Sequence, residues 1–124
     1  MTAVPGTLSR TVLVVEDQEQ LRSMMARTLT DAGFDVLQAS DGRAALQVFS
    51  SGAKIQLVVT DVVMPSMDGP EFARALAAAS IQVPILFVSG YTRDYAGLPG
   101  PLLKKPFKAD VLITEVRRLL APTQ

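Results

Sequence analysis

Apolar residues in this chain alternate between short continuous runs and longer stretches of helical period. Thr11-Val12-Leu13-Val14-Val15 is apolar on both faces, which suits a parallel strand covered by helices on each side. Leu21, Met24, Met25, Leu29 and Ala32 follow at i, i+3, i+4, i+8 and i+11. That spacing predicts an amphipathic helix burying this face, stopped at Gly33. Residues 35–39 predict a second, shorter strand. Asp41-Gly42 opens a helix with Ala45, Leu46, Val48 and Phe49 as core residues, and Ser51-Gly52 closes it. Leu57-Val58-Val59-Thr60 is a third buried strand ending at Asp61, and Pro65 stops any further pairing. Asp68-Gly69-Pro70 starts a helix with Pro70 in its first turn, where a missing N–H costs nothing, and with Phe72, Ala73 and Leu76 facing inward. Residues 83–88 form a fourth strand ending at Ser89-Gly90. Residues 101–104 form a short fifth strand ending at Lys105-Pro106. Residues 108–121 form the last helix, with Leu112, Val116, Leu119 and Leu120 on one face.

Strands alternating with helices across short turns predict an α/β fold, a doubly wound five-stranded parallel sheet with helices on both faces. Residues 1–10 read as a flexible arm, 11–121 as one domain and 122–124 as a short tail. One crossover is anomalous. Lys105 follows Ser89 by only 16 positions, with Gly90, Gly97, Pro99, Gly100 and Pro101 among them. The chain must return roughly 17 Å along the sheet to begin a parallel strand of about five residues. Residues 91–96 can supply a helix only about 9 Å long. The fourth helix, between the fourth and fifth strands, is therefore expected to be shortened or absent.

Composition narrows the chemistry. Lys plus Arg and Asp plus Glu are 12 each, so no basic excess points to nucleic acid or to an anionic membrane. Without cysteine there is no disulfide framework, thiolate nucleophile or cysteine zinc site. Without histidine there is no Ser-His-Asp triad and no histidine-bound metal. Any phosphohistidine in this protein's chemistry belongs to another molecule. No apolar run approaches the roughly 20 residues of a membrane span. The first residues lack the pattern of a signal peptide, so a soluble, cytoplasmic protein is expected.

Right-handed crossovers put all parallel strand ends on one edge of the sheet. That edge then collects Glu16, Asp17, Asp61, Ser89 and Lys105. Each has a plainer reading on its own. Asp17 with Gln20 three residues on fits a helix capping box. Asp61 fits a turn, Ser89 beside Gly90 fits a turn, and Lys104-Lys105 fits a solvated pair. Their joint placement, each directly beyond a core strand, favours a site. Crowded carboxylates repel, and a hard divalent cation, Mg²⁺ or Mn²⁺, relieves this with carboxylate and phosphoryl oxygens as ligands. Asp61 is then the nucleophile toward phosphorus. Charge on three equatorial phosphoryl oxygens is met by the metal, the Ser89 hydroxyl and the Lys105 ammonium.

The chain also resembles the receiver domains of two-component response regulators. The resemblance is carried in order by Val14-Val15-Glu16-Asp17, Asp61-Val62-Val63-Met64-Pro65 with Met67-Asp68-Gly69, Ser89-Gly90 and Lys105-Pro106-Phe107. It covers residues 11–121, and Val88-Ser89-Gly90-Tyr91 looks like receivers of hybrid histidine kinases. It implies strand order 2-1-3-4-5 and Asp61 as phosphoacceptor. Glu16, Asp17, Asp61 and the Val63 backbone carbonyl would hold Mg²⁺. Ser89 would be the switch hydroxyl and Lys105 the phosphate-contacting lysine. The donor would be a phosphohistidine on a histidine kinase or histidine phosphotransfer protein. Direct nucleic-acid or membrane binding is not implied, and a weak homodimer is compatible with the pattern.

Three departures stand out. Leu102 occupies the position where the family often has an aromatic switch residue. The fourth helix is expected to be short, and no output domain is expected after the last helix. These favour a stand-alone phosphoryl carrier, or a receiver excised from a larger kinase, over a transcription factor. An unphosphorylated interaction module with the same fold is the alternative reading. A haloacid-dehalogenase-like phosphatase is disfavoured, because Val63 stands where that family has a second Asp. Val63 cannot hydrogen-bond a hydrolytic water, whereas Tyr91 can shield or orient one, so slow self-dephosphorylation is expected. Val63→Asn should shorten the phosphorylated half-life several-fold in a phosphate-release assay; an unchanged half-life would remove Val63 from lifetime control.

Overall fold

The strand residues point alternately to two separate cores, and this sets the architecture. Leu13 and Val15, Val58, and Ile85 and Phe87 face one cluster; Val12 and Val14, Leu57 and Val59, and Leu86 and Val88 face the other. A sheet apolar on both faces must be covered on both. The computed structural model describes residues 10–90 and 97–121. In chain order the elements are β1 (Thr11–Val15), α1 (Glu19–Asp31), β2 (Asp35–Ala39), α2 (Gly42–Ser50), β3 (Leu57–Asp61), α3 (Gly69–Ala78), β4 (Ile85–Ser89), β5 (Leu102–Lys104) and α4 (Ala109–Leu120). The five strands are parallel, in the order β2-β1-β3-β4-β5. Ala45 of α2 and Phe72, Ala73 and Leu76 of α3 cover the first face. Met25 and Leu29 of α1 and Leu112 and Val116 of α4 cover the second.

The fold class and strand order expected from the sequence are the observed ones. The shortened or absent fourth helix falls on residues 91–96, which lie outside the described residues; residues 97–101 before β5 hold no helix. Residues 1–9 and 122–124 also lie outside them. Arg10 is engaged at the edge of the domain: its carbonyl accepts from the Asp35 N–H at 3.0 Å, and its guanidinium donates to the Leu120 carbonyl at 3.0 Å.

One core assignment is corrected. Met24 is 47% exposed, although its spacing placed it on the buried face of α1. The face that packs is centred on Met25, Ala26 and Leu29. One residue is about 100° of helical rotation, enough to carry Met24 off a face so centred. It lies instead in a surface groove with Leu21, Pro106 and Phe107.

Local chemistry fixes the helix starts that frame the strand ends. The Asp41 carboxylate accepts from the Ala44 N–H at 2.8 Å and caps α2. Asp68 and Glu71 form a reciprocal capping box at the start of α3. Gly69, the first residue of that helix, is buried against the end of β3. A Cβ there would stand 2.5 Å from the Asp61 carbonyl oxygen, so only glycine lets α3 seat this close. The Gly69 N–H donates to the Val62 carbonyl at 2.9 Å, tying the helix to the turn that carries Asp61 and Val62.

Candidate functional site

A parallel sheet brings its carboxyl ends to one edge, and here β1, β3, β4 and β5 each deliver a functional group to it. Glu16 follows β1 and is fully buried, while Asp17 beside it is exposed. Asp61 ends β3 at 8% exposure, Ser89 ends β4 buried, and Lys105 follows β5 half-buried. One carboxylate oxygen from each of Glu16, Asp17 and Asp61 lies within 4.8 Å of the others. The Lys105 ammonium stands between two of them. Its Nζ donates to Glu16 Oε1 at 3.1 Å and lies 3.3 Å from Asp61 Oδ2. Asp17, Asp61, Val63, Gly90 and Lys105 line one cavity of about 490 Å³, ample for a phosphoryl group and its ligands.

Backbone donors complete the first contacts. The Val62 N–H donates to Asp61 Oδ1 at 2.8 Å, and the Gln18 N–H donates to Glu16 Oε2 at 3.1 Å. Ser89 is joined to β5 through its backbone, where its carbonyl accepts from the Lys105 N–H at 2.8 Å. The peptide bond from Lys105 to Pro106 is cis. Asp17 does not cap α1: the N-cap is Gln18, and no side chain makes a capping hydrogen bond there. The capping-box reading of Asp17 therefore does not describe the fold.

The electrostatics are out of balance. A carboxylate and an ammonium about 4 Å apart gain about 4 kcal/mol at an effective dielectric of 20. Removing an ion from water costs several kcal/mol, so one ammonium cannot offset three gathered carboxylates. Burial accordingly raises the pKa of Glu16 above the ordinary glutamate value, and the Asp61 charge adds to this. The Gln18 N–H and Lys105 pull it back only in part. Burial raises Asp61 likewise, against the opposing pull of Lys105 and the Val62 N–H. The donor set is three hard carboxylate oxygens with a surplus of negative charge, which fits a hard divalent cation.

The sequence-predicted residues Glu16, Asp17, Asp61, Val63, Ser89 and Lys105 are thus placed on one edge. Val63 is 55% exposed on the cavity's rim. Leu102 opens β5 on the sheet's edge, opposite Phe87, and is exposed rather than packed into the site. Tyr91 lies outside the described residues. Sequence reasoning did not find the two backbone donors or the Arg22 guanidinium, which donates to the Glu16 carbonyl at 2.8 Å. Peptide N–H groups carry no residue signature. Arg22 is legible only as a basic position five residues beyond Asp17.

The family model for the response regulator receiver domain matches residues 12–117. The chain is 39% identical over 119 residues to the sensor kinase CckA of Brucella abortus, covering 90% of this chain and 13% of that protein. It is 34% identical over 140 aligned positions to the alkaline phosphatase synthesis transcriptional regulatory protein SphR of Synechococcus elongatus, covering all of this chain and 54% of that protein. It therefore spans a small part of the first relative and about half of the second. Among solved structures, the receiver domain of the hybrid histidine kinase CckA matches at a TM-score of 0.78 and 35% identity, covering 90% of this chain and 99% of that one. The response regulator TrrA of Thermotoga maritima, solved in complex with Mg(2+)-BeF, matches at 0.81 and 27% identity, covering 90% and 99%.

A carboxylate whose pKa rises on folding binds its proton more tightly in the folded chain. Stability is then greatest below the ordinary carboxylate pKa and falls as pH climbs through the raised value. Metal-free Asp61→Asn, with one crowded charge removed, should therefore melt above wild type at pH 7. The difference should close as pH falls into the ordinary carboxylate range. Thermal unfolding across pH checks this; a wild type that melts at or above the variant at pH 7 would contradict it.

Proposed function

The chain belongs to the response regulator receiver domain family, a family of signalling phosphoacceptors, and from that premise we propose that Asp61 is the phosphorylated residue. The observation that carries the assignment is the joint approach of Glu16, Asp17 and Asp61 with a single ammonium between two of them. Residues 11–121 are the working unit, acting in the cytoplasm.

Glu16, Asp17 and Asp61, with the Val63 carbonyl, would hold Mg²⁺ or, in its place, Mn²⁺. The bound cation supplies positive charge to the carboxylates and to phosphoryl oxygens. Asp61 attacks phosphorus with a carboxylate oxygen. The new P–O bond forms as the P–N bond to the donor's imidazole breaks, and the departing imidazole keeps the electron pair. Lys105 already faces Asp61 Oδ2, where charge develops on the transferred group, so it needs little reorganisation to stabilise it. The Ser89 hydroxyl, at the end of the neighbouring strand, takes a second phosphoryl oxygen and reports the modification to β5. Val63 on the rim offers no side-chain donor to an attacking water, which prolongs the phosphorylated state. The family reading makes a phosphohistidine on a histidine kinase or a histidine phosphotransfer protein the donor. The protein's own chemistry is its phosphorylation and dephosphorylation, without turnover of a separate substrate. The complete charged set disfavours the unphosphorylated interaction module.

Acetyl phosphate with Mg²⁺ should add one phosphoryl mass to the wild type and none to Asp61→Asn, read by intact mass. Equal labelling of both would remove Asp61 as the acceptor. No labelling of the wild type, even by a phosphohistidine donor, would favour the interaction module.

A further inference from the structure

The Glu16 backbone sets the direction in which its own carboxylate and that of Asp17 leave the strand, and it is held at both its N–H and its carbonyl. The Glu16 N–H donates to the Ala39 carbonyl at the end of β2, at 3.1 Å. The Glu16 carbonyl accepts from Arg22 Nη1 at 2.8 Å. Arg22 sits in the first turn of α1, and its own backbone N–H donates to the Gln18 carbonyl at 2.9 Å. One residue thus grips the β1–α1 turn twice, once through the backbone and once through its guanidinium. The N-cap residue Gln18 makes no side-chain capping bond, and the turn's other side-chain contact is the Gln18 N–H on Glu16 Oε2 at 3.1 Å. The cavity itself is lined by residues on both sides of the turn, Asp17 and Leu21 among them, and Arg22 is not one of them.

We infer that Arg22 is a positioning residue: its hydrogen bond to the Glu16 carbonyl locks the turn so that Glu16 and Asp17 present their oxygens beside Asp61. The inference rests on the cation-site reading above. Three carboxylates repel, and a turn free to swing would relieve the crowding by moving Asp17 away into water. A fixed turn keeps the site preformed, so the ordering is already done before the cation arrives. Groups that hold metal ligands in place commonly matter for affinity without touching the ion. Arg22 contacts the turn and not the acceptor oxygen, so its loss should weaken cation binding while leaving the chemistry at saturating cation largely intact.

Mg²⁺ is titrated into the full chain while thermal unfolding is followed for the wild type, Arg22→Met and Arg22→Lys. Metal-free melting temperatures report folding alone. Arg22→Met keeps the aliphatic stem and loses the donor, so about tenfold more Mg²⁺ should be needed for half-maximal stabilisation, whereas Arg22→Lys, still a cationic donor, should stay within about threefold of wild type. Labelling rates with acetyl phosphate at saturating Mg²⁺ should be alike in all three. A folded Arg22→Met with the wild-type Mg²⁺ dependence overturns the inference, as does Arg22→Lys weakened as far as Arg22→Met. If Arg22→Met does not fold, Arg22→Gln, whose amide is two bonds shorter, takes its place with the same expected rise, and no rise overturns the inference. A wild type that Mg²⁺ does not stabilise overturns the cation site itself and this inference with it.

Discussion

Three carboxylates share one ammonium at the carboxyl edge of the sheet, and most of the site follows from that shortage of positive charge. Lys105 reaches Glu16 and Asp61 together, at 3.1 and 3.3 Å. It offsets part of their burial and leaves both with raised pKa values. The edge is therefore stable enough to fold and unbalanced enough to want a cation. A charge-balanced edge would attract a cation less strongly, and one without Lys105 would leave the buried Glu16 and Asp61 carboxylates without their ammonium partner.

The sheet is what makes such an arrangement tolerable. Its strands are apolar on both faces and buried by α1 and α4 on one side and α2 and α3 on the other. Each of its buried Val, Leu, Ile and Phe side chains contributes about 1.5–3 kcal/mol, so the core can carry the cost of a strained charge cluster at its rim. The same geometry puts the chemistry where it is reachable. Glycine at position 69 brings α3 against the Asp61 backbone, and the capping box at Asp68 and Glu71 starts that helix at the same place. Gly69 and its capping pair thus seat α3 directly beside Asp61.

Much of this is legible in the amino-acid sequence alone. Continuous apolar runs gave the strands because burial on both faces leaves no polar alternation to confuse them. The polar residue directly after each run marked the edge where Glu16, Asp17, Asp61, Ser89 and Lys105 meet. What escaped was orientation and backbone chemistry. Met24 fits a helical stripe by spacing, yet lies one residue off the face that packs. Asp17 carries a capping-box spacing, yet Gln18 occupies the N-cap. The N–H groups of Val62 and Gln18 bind the key carboxylates, and no side-chain pattern announces a peptide donor.

The proposed function makes the edge one site, with the cation on the carboxylates and the phosphoryl group on Asp61. A crystal structure grown with Mg²⁺ and beryllofluoride, which stands in for a phosphoryl group, addresses it most directly. Mg²⁺ is expected on oxygens of Glu16, Asp17 or Asp61, with beryllium bonded to an Asp61 oxygen and Lys105 turned to a fluoride. Beryllofluoride bound elsewhere, or Lys105 still shared between Glu16 and Asp61 with no cation at the edge, would contradict it.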